Sequence, residues 1–143
     1  MDYQINPVLM GGQVKEIKED GRVKINLFGR LGVICVPGWM IAEKSAPRPG
    51  DRLQFYFSYL QVVEESCGYD SADLNPAYGL YPTMLGGVMT EVNDTAVMVS
   101  IMDGAGTVAV PRRWVFTDVP LREGQNCEFY FSCMKAAGDR QEV

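Results

Sequence analysis

The tripeptide best equipped for chemistry is Arg112-Arg113-Trp114. Two guanidiniums beside an indole can grip a phosphate and stack a base or ring. The competing reading makes Trp114 the plug of a small barrel's end and leaves the arginines solvated, and it is preferred. Earlier in the chain Gly38-Trp39 stands in a similar place without an arginine pair. A second group, Arg22, Lys24, Phe28 and Arg30, makes a basic and aromatic stripe. Arg22, Lys24 and Phe28 share one face of a strand by parity. RNA would bind there if it binds at all, although a solvated strand face explains the same residues. A third group is Met98, Ser100 and Met102, outward by the same parity. Two methionines on an exposed strand face need a cover, so Met98 and Met102 are expected at an interface. Tyr56 and Tyr130 alternate with core phenylalanines and are expected to pack one module on the other.

What is missing narrows the chemistry further. The chain has no histidine. That removes Ser-His and Cys-His dyads, the usual zinc and iron ligand sets and the commonest general base near neutral pH. Cys35, Cys67, Cys127 and Cys133 show neither C-x-x-C pairing nor metal-ligand spacing. Cys35 and Cys127 lie in apolar runs and read as small buried hydrophobes, while Cys67 sits in a polar stretch and is the best candidate for a free thiol. Asp94, Asp103, Asp118 and Glu123 fit no known metal loop. The expectation is therefore a protein without catalysis, metal or cofactor.

Net charge is −5, from 13 basic and 18 acidic residues. Residues 1–63 hold 8 basic and 6 acidic, a net +2; residues 64–81 hold 4 acidic and no basic; residues 82–143 hold 5 basic and 8 acidic, a net −3. Any polyanion-binding surface should be local to the first part. The opening residues are acidic and lack an apolar run, and no stretch reaches transmembrane length, so a cytoplasmic, membrane-free protein is expected.

The elements that must position these residues come in two copies of about 55 residues each. Gly11-Gly12 matches Gly86-Gly87, and Glu16-Ile17 matches Glu91-Val92, an offset of 75. One residue is then lost, and the offset becomes 74. Asp20, Val23, Ile25 and Leu27 match Asp94, Val97, Val99 and Ile101. Gly32 matches Gly106, Val36-Pro37 matches Val110-Pro111, and Arg48 and Gly50 match Arg122 and Gly124. Phe55-Tyr56-Phe57-Ser58 recurs unchanged as Phe129-Tyr130-Phe131-Ser132. Each copy reads as β-structure. Val23, Ile25 and Leu27 alternate with polar residues, as do Leu53, Phe55 and Phe57. Residues 31–36 are apolar on both faces. Asp20-Gly21 is a hairpin turn, and Asp94-Thr95, lacking the glycine, implies a shortened or rebuilt one. Pro37 and Pro111 end the third strand. Short irregular or single-turn helical pieces are expected at 39–42 and 114–117, and a helical turn within the acidic linker at 71–75.

The order Gly-x-Val-x-x-Ile, Gly-x-Val-x-Ile, Gly-Val-Ile-x-Val-Pro, Pro-Gly-Asp, borne by residues 12–17, 21–25, 32–37 and 49–51, resembles the OB-fold repeat of the largest small-subunit ribosomal protein. Small SH3-like barrels have a similar rhythm. The resemblance spans both copies and implies small β-barrels and RNA binding. The residue after Gly21 is Arg22, matched by Ala96, and the family's histidine on its base-stacking strands is absent, so the likeness bears on fold more than on activity. The reading is an all-β protein of two tandem homologous barrels, OB-like or SH3-like, with four to five strands each. The first is 1–63, an acidic linker covers 64–81, and the second is 82–143. The expected function is a non-enzymatic binding or assembly module that self-associates or docks a protein partner. RNA binding by the first repeat is the alternative. A small-ligand site between the repeats near Trp39 and Trp114 is a weaker one.

Overall fold

The computed structural model describes residues 5–42, 47–64 and 81–136, without the side chains of Arg30, Ala42 and Asp103. Cys67, the helical turn expected at 71–75 and the Arg30 side chain lie outside the described residues.

The all-β reading holds. The first repeat forms β1 (Val8–Ile17), β2 (Arg22–Leu27), β3 (Val33–Pro37), β4 (Ile41–Ala42), β5 (Arg52–Phe57) and β6 (Leu60–Val63). The second forms β7 (Thr83–Val92), β8 (Ala96–Ile101), β9 (Gly106–Pro111), β10 (Val115–Phe116), β11 (Asn126–Phe131) and β12 (Met134–Ala136). Alternation works as expected: Val23, Ile25, Leu27, Leu53, Phe55 and Phe57 are all buried. The helical pieces after Pro37 and Pro111 are 3₁₀ turns at Gly38–Met40 and Arg112–Trp114. Among the described residues each repeat contributes six strands, one more than the expected four to five. The additional one follows the Phe-Tyr-Phe-Ser block with no glycine or proline to announce it.

The twelve strands make one ladder, in the order β10-β6-β11-β7-β8-β9-β3-β2-β1-β5-β12-β4, and a short β11–β5 pairing at Phe131–Phe57 closes it back on itself. The two repeats meet at β3 and β9, antiparallel, with Ile34 opposite Val108. Those two residues are counterparts at offset 74, and so are Phe57 and Phe131. Both pairings therefore lie on a pseudo-two-fold axis. The last strand of each repeat crosses to the other half: β6 pairs with β11 and β10, and β12 pairs with β5 and β4. The sequence repeats are thus not the packing units.

The unchanged Phe-Tyr-Phe-Ser block sits at this crossing. Phe55, Phe57, Phe129 and Phe131 are fully buried, with edge-to-face ring contacts of 5.6–6.3 Å. Such pairs add roughly 0.5–1.5 kcal/mol each beyond the area they bury. The serines are buried polar groups that must be satisfied. The Tyr56 amide donates to Ser132 Oγ at 2.7 Å, and the Tyr130 amide donates to Ser58 Oγ at 2.9 Å. Each hydroxyl then donates to a nearby carbonyl, Ser58 to Tyr59 and Ser132 to Cys133. The repeats stitch each other through the same residue used twice.

Backbone approach at the β3–β9 seam is equally close. A Cβ on Gly32 would lie 1.8 Å from the Ala109 carbonyl oxygen, and Gly32 has φ +114°. Its counterpart Gly106 faces the Cys35 carbonyl, and a Cβ there would sit 2.9 Å away. No other residue type fits the Gly32 position.

The lost residue falls in the first hairpin turn. In the first repeat Gly21 turns at φ +90° between Lys18 and Arg22. In the second, Asn93 Oδ1 accepts from the amides of Thr95 and Ala96 and from Thr95 Oγ1. A side-chain acceptor replaces the glycine, which is how the turn is rebuilt.

Candidate functional site

Arg112-Arg113-Trp114 is put to structural use. Arg112 Nη1 donates to the Asn93 carbonyl at 2.8 Å and braces the rebuilt hairpin. Trp114 Nε1 donates to the Ser58 carbonyl at 2.9 Å. Its indole lies near-parallel to the rings of Phe57, at 6.3 Å, and Tyr59, at 3.9 Å. Tyr59 in turn stacks on Phe116 at 4.7 Å. A chain of ring contacts thus runs from the buried Phe57 outward. Tyr59 and Phe116 give no sign of this in the sequence, because the parallel β6–β10 pairing that joins them is invisible there. Arg113 is exposed. Trp39 is exposed too, and at offset 74 its counterpart is Arg113, while that of Trp114 is the buried Met40. The two tryptophans adjoin β4 and β10, the strands at the two ends of the ladder's order.

The first repeat's stripe is divided. Arg22 Nε bonds Asp20 Oδ2 at 2.7 Å. The Arg22 amide also donates to Asp20 Oδ1, and these contacts hold the Asp20 carboxyl below its usual range. Phe28 stands just past β2, where a 3₁₀ turn begins; it is exposed, and a Cβ on Gly11 of the neighbouring β1 would lie 3.1 Å from its ring. Lys24 lines an open groove with Lys15, Glu16, Ile17 and Pro49. Lys15 sits at the β-bulge between Val14 and Glu16. A bulge re-aims side chains, and this one is not legible from alternation.

The outward face continues across the repeat junction. On β8, β9 and β3 the outward positions are Ala96, Met98, Ser100, Thr107, Ala109, Pro111, Val33, Cys35 and Pro37, and none carries a charge. Met98 is exposed, lies opposite Ala109 and has Glu91 on its other side. Val88, opposite Ser100, is also exposed. Cys35 lies between Lys24 and Thr107 and is nearly covered. The face is bordered by Arg22 and Lys24 on β2 and by Glu91 on β7. Met102 does not belong to it. It starts a 3₁₀ turn with φ +52° and packs against the core, so strand parity fails there. Tyr56 and Tyr130 are half-buried, outward on β5 and β11 opposite Leu9 and Met84. Their amides make the cross-repeat bonds.

Cys35 and Cys127 are buried free thiols, and Cys133 is buried as well. Burial pushes the Cys127 thiol up to about 12 and raises that of Cys133. Among the described residues no three Cys, Asp or Glu gather closely enough to hold a metal ion, and no helix is long and apolar enough to cross a membrane. No protein-family model matches the chain, and no relative is found among curated proteins.

Proposed function

We propose that the protein is a non-enzymatic binding module whose docking surface is the uncharged outer face of β8, β9 and β3. One observation carries this. Nine adjacent outward positions on three strands lack charge, in a chain with 31 charged residues (13 basic and 18 acidic). Charge depletion with a charged rim is the composition of an interface centre. The chain of aromatic contacts and the serine pair are absorbed by the fold and leave this face without a structural task.

The test is photochemical carbene labelling of trace protein in concentrated cell extract and in buffer. Labelling at Met98, Ala109 and Val33 is normalised to the exposed Tyr81. Protection of the face in extract, lost on Met98→Lys, is expected. Equal labelling in both media would overturn the proposal.

A second reading, RNA binding, draws on the convergence of Lys15 and Lys24 on one groove. It requires salt-sensitive binding of single-stranded RNA that disappears on Lys15→Glu with Lys24→Glu. No binding at low salt disposes of it.

A further inference from the structure

We infer that a single-stranded nucleic acid lies on the outer face of β2, β1, β5 and β12, held by cations that come from both repeats. The inference rests on the RNA reading above and extends it from one groove to a face that the strand exchange assembles. Lys15 and Lys24 line the groove at the β1 bulge. Arg52 stands on β5 opposite Gln13 of β1. Lys135 comes from β12 of the second repeat and stands opposite Gln54 of β5. None of these four cations makes an ion pair among the described residues. With Glu16, opposite Lys24, the set carries net +3, from four cations and one acid.

The pseudo-two-fold supplies the comparison. The counterparts of Lys15, Lys24, Arg52 and Lys135 are Thr90, Met98, Asn126 and Gln61, all uncharged. Glu16 is matched by Glu91 and Gln54 by Glu128, so the equivalent positions carry net −2, from two acids. The backbone is the same at both places. The bulges at Val14/Glu16 and Met89/Glu91 correspond, and Lys135 faces Gln54 as Gln61 faces Glu128. The fold itself therefore requires neither sign. Gln61 donates to Glu128 at 2.7 Å, whereas Lys135 has a neutral amide opposite it.

Charge alone suits any polyanion, but along the same strands the face becomes aromatic. Phe28 is 47% exposed and lies over Gly11, where a Cβ would come within 3.1 Å of the ring. Tyr56 is half-buried on β5, opposite the exposed Leu9. Gln13 and Asn26 face each other between Phe28 and the groove, and their amides both donate and accept. Cations suit a phosphate chain, rings suit unstacked bases, and amides suit base edges. A duplex keeps its bases stacked, and an anionic lipid headgroup has no ring to offer.

The experiment is fluorescence anisotropy of a labelled oligouridylate with the full chain over a range of salt. Circular dichroism melts confirm that each variant is folded. Four phosphate contacts on a single strand predict a slope of log affinity against log salt of about −3. Arg52→Gln and Lys135→Gln should each weaken binding several-fold at low salt and flatten that slope by about 0.7. Phe28→Ala should weaken binding about tenfold and leave the slope unchanged. Arg113→Gln, an equal change of charge on the exposed turn before β10, should alter neither. A wild-type chain that binds no oligouridylate at low salt overturns the inference and the RNA reading together. Binding that needs Lys15 and Lys24 but ignores Arg52→Gln and Lys135→Gln keeps the groove reading and overturns the inference. Equal affinity for duplex RNA, tighter binding to phosphatidylserine vesicles, or an Arg113→Gln loss as large as that of Lys135→Gln also overturns it.

Discussion

Ser58→Ala and Ser132→Ala put the crossing of the repeats to a quantitative test. Each change removes one acceptor, so the amide of Tyr130 or of Tyr56 loses its partner. Each also removes the hydroxyl donor to a carbonyl next in the chain. An N–H left without an acceptor inside a protein costs about 1–3 kcal/mol, and the lost donation is smaller because a carbonyl has two lone pairs. Alanine supplies no acceptor in place of the lost Oγ. Near 2 kcal/mol is expected for each variant, which for a chain of this size lowers Tm by about 7 °C. The two environments are related by the pseudo-axis, so the two costs should agree within about 0.5 kcal/mol. Urea unfolding followed by circular dichroism measures both, with the half-exposed Ser100→Ala as a control expected to stay within about 0.5 kcal/mol of wild type. A cost below that control's range at either serine refutes the stitching role. A large cost at one serine only refutes the symmetry.

Two further outcomes follow from geometry already described. Gly32→Ala would drive a methyl into the Ala109 carbonyl, so a loss above about 4 kcal/mol or outright failure to fold is expected. Gly104→Ala, at φ +91° with open space around it, should cost only about 1–2 kcal/mol, and comparable urea midpoints for the two variants would contradict the close approach. Burial, with a smaller push from Glu128, raises the Cys127 thiol from 9.0 to about 12. The folded chain then holds a proton that the unfolded chain releases, so this contribution is whole below pH 9 and is lost as pH rises toward 12. The slope amounts to at most about 4 kcal/mol over the window, and Cys127→Val should flatten it in urea titrations; an unchanged slope would refute the assignment.

Much of this fold is readable from local pattern. Val23, Ile25 and Leu27 sort inward because period-two alternation is a local property, and the matched glycines fix where turns fall. The lost residue correctly marks the rebuilt hairpin at Asn93. The exchange of β6 and β12 is different. It depends on pairings between residues more than 50 apart, such as Val115 with Leu60 and Tyr56 with Ser132, and alternation within a strand says nothing about its neighbour. Met102 leaves the face that parity assigns it. It stands where β8 gives way to a 3₁₀ turn, and parity counting assumes that the strand goes on. Arg112 and Trp114 looked like a ligand site because their partners, the Asn93 and Ser58 carbonyls, are backbone atoms that composition never displays. The uncharged face was half visible through Met98. Its remainder needed the β3–β9 seam, which joins the two repeats.

The crossing strands also bear on the order in which the chain is made. When the first repeat has left the ribosome, β5 has β1 on one edge and nothing on the other, because β12 and Ser132 are synthesised later. The Tyr56 amide must wait for an acceptor 76 residues downstream. Meanwhile β6 lies beside an empty edge of its own repeat that accepts a strand of similar length. A nascent chain that fills the edge with β6 forms a hairpin-like trap, and it must undo that pairing before β12 can enter. Long-range closure of this kind slows folding, and an uncovered β5 edge invites strands from other chains while it lasts. Two nascent chains can also trade β12 and form an exchanged pair.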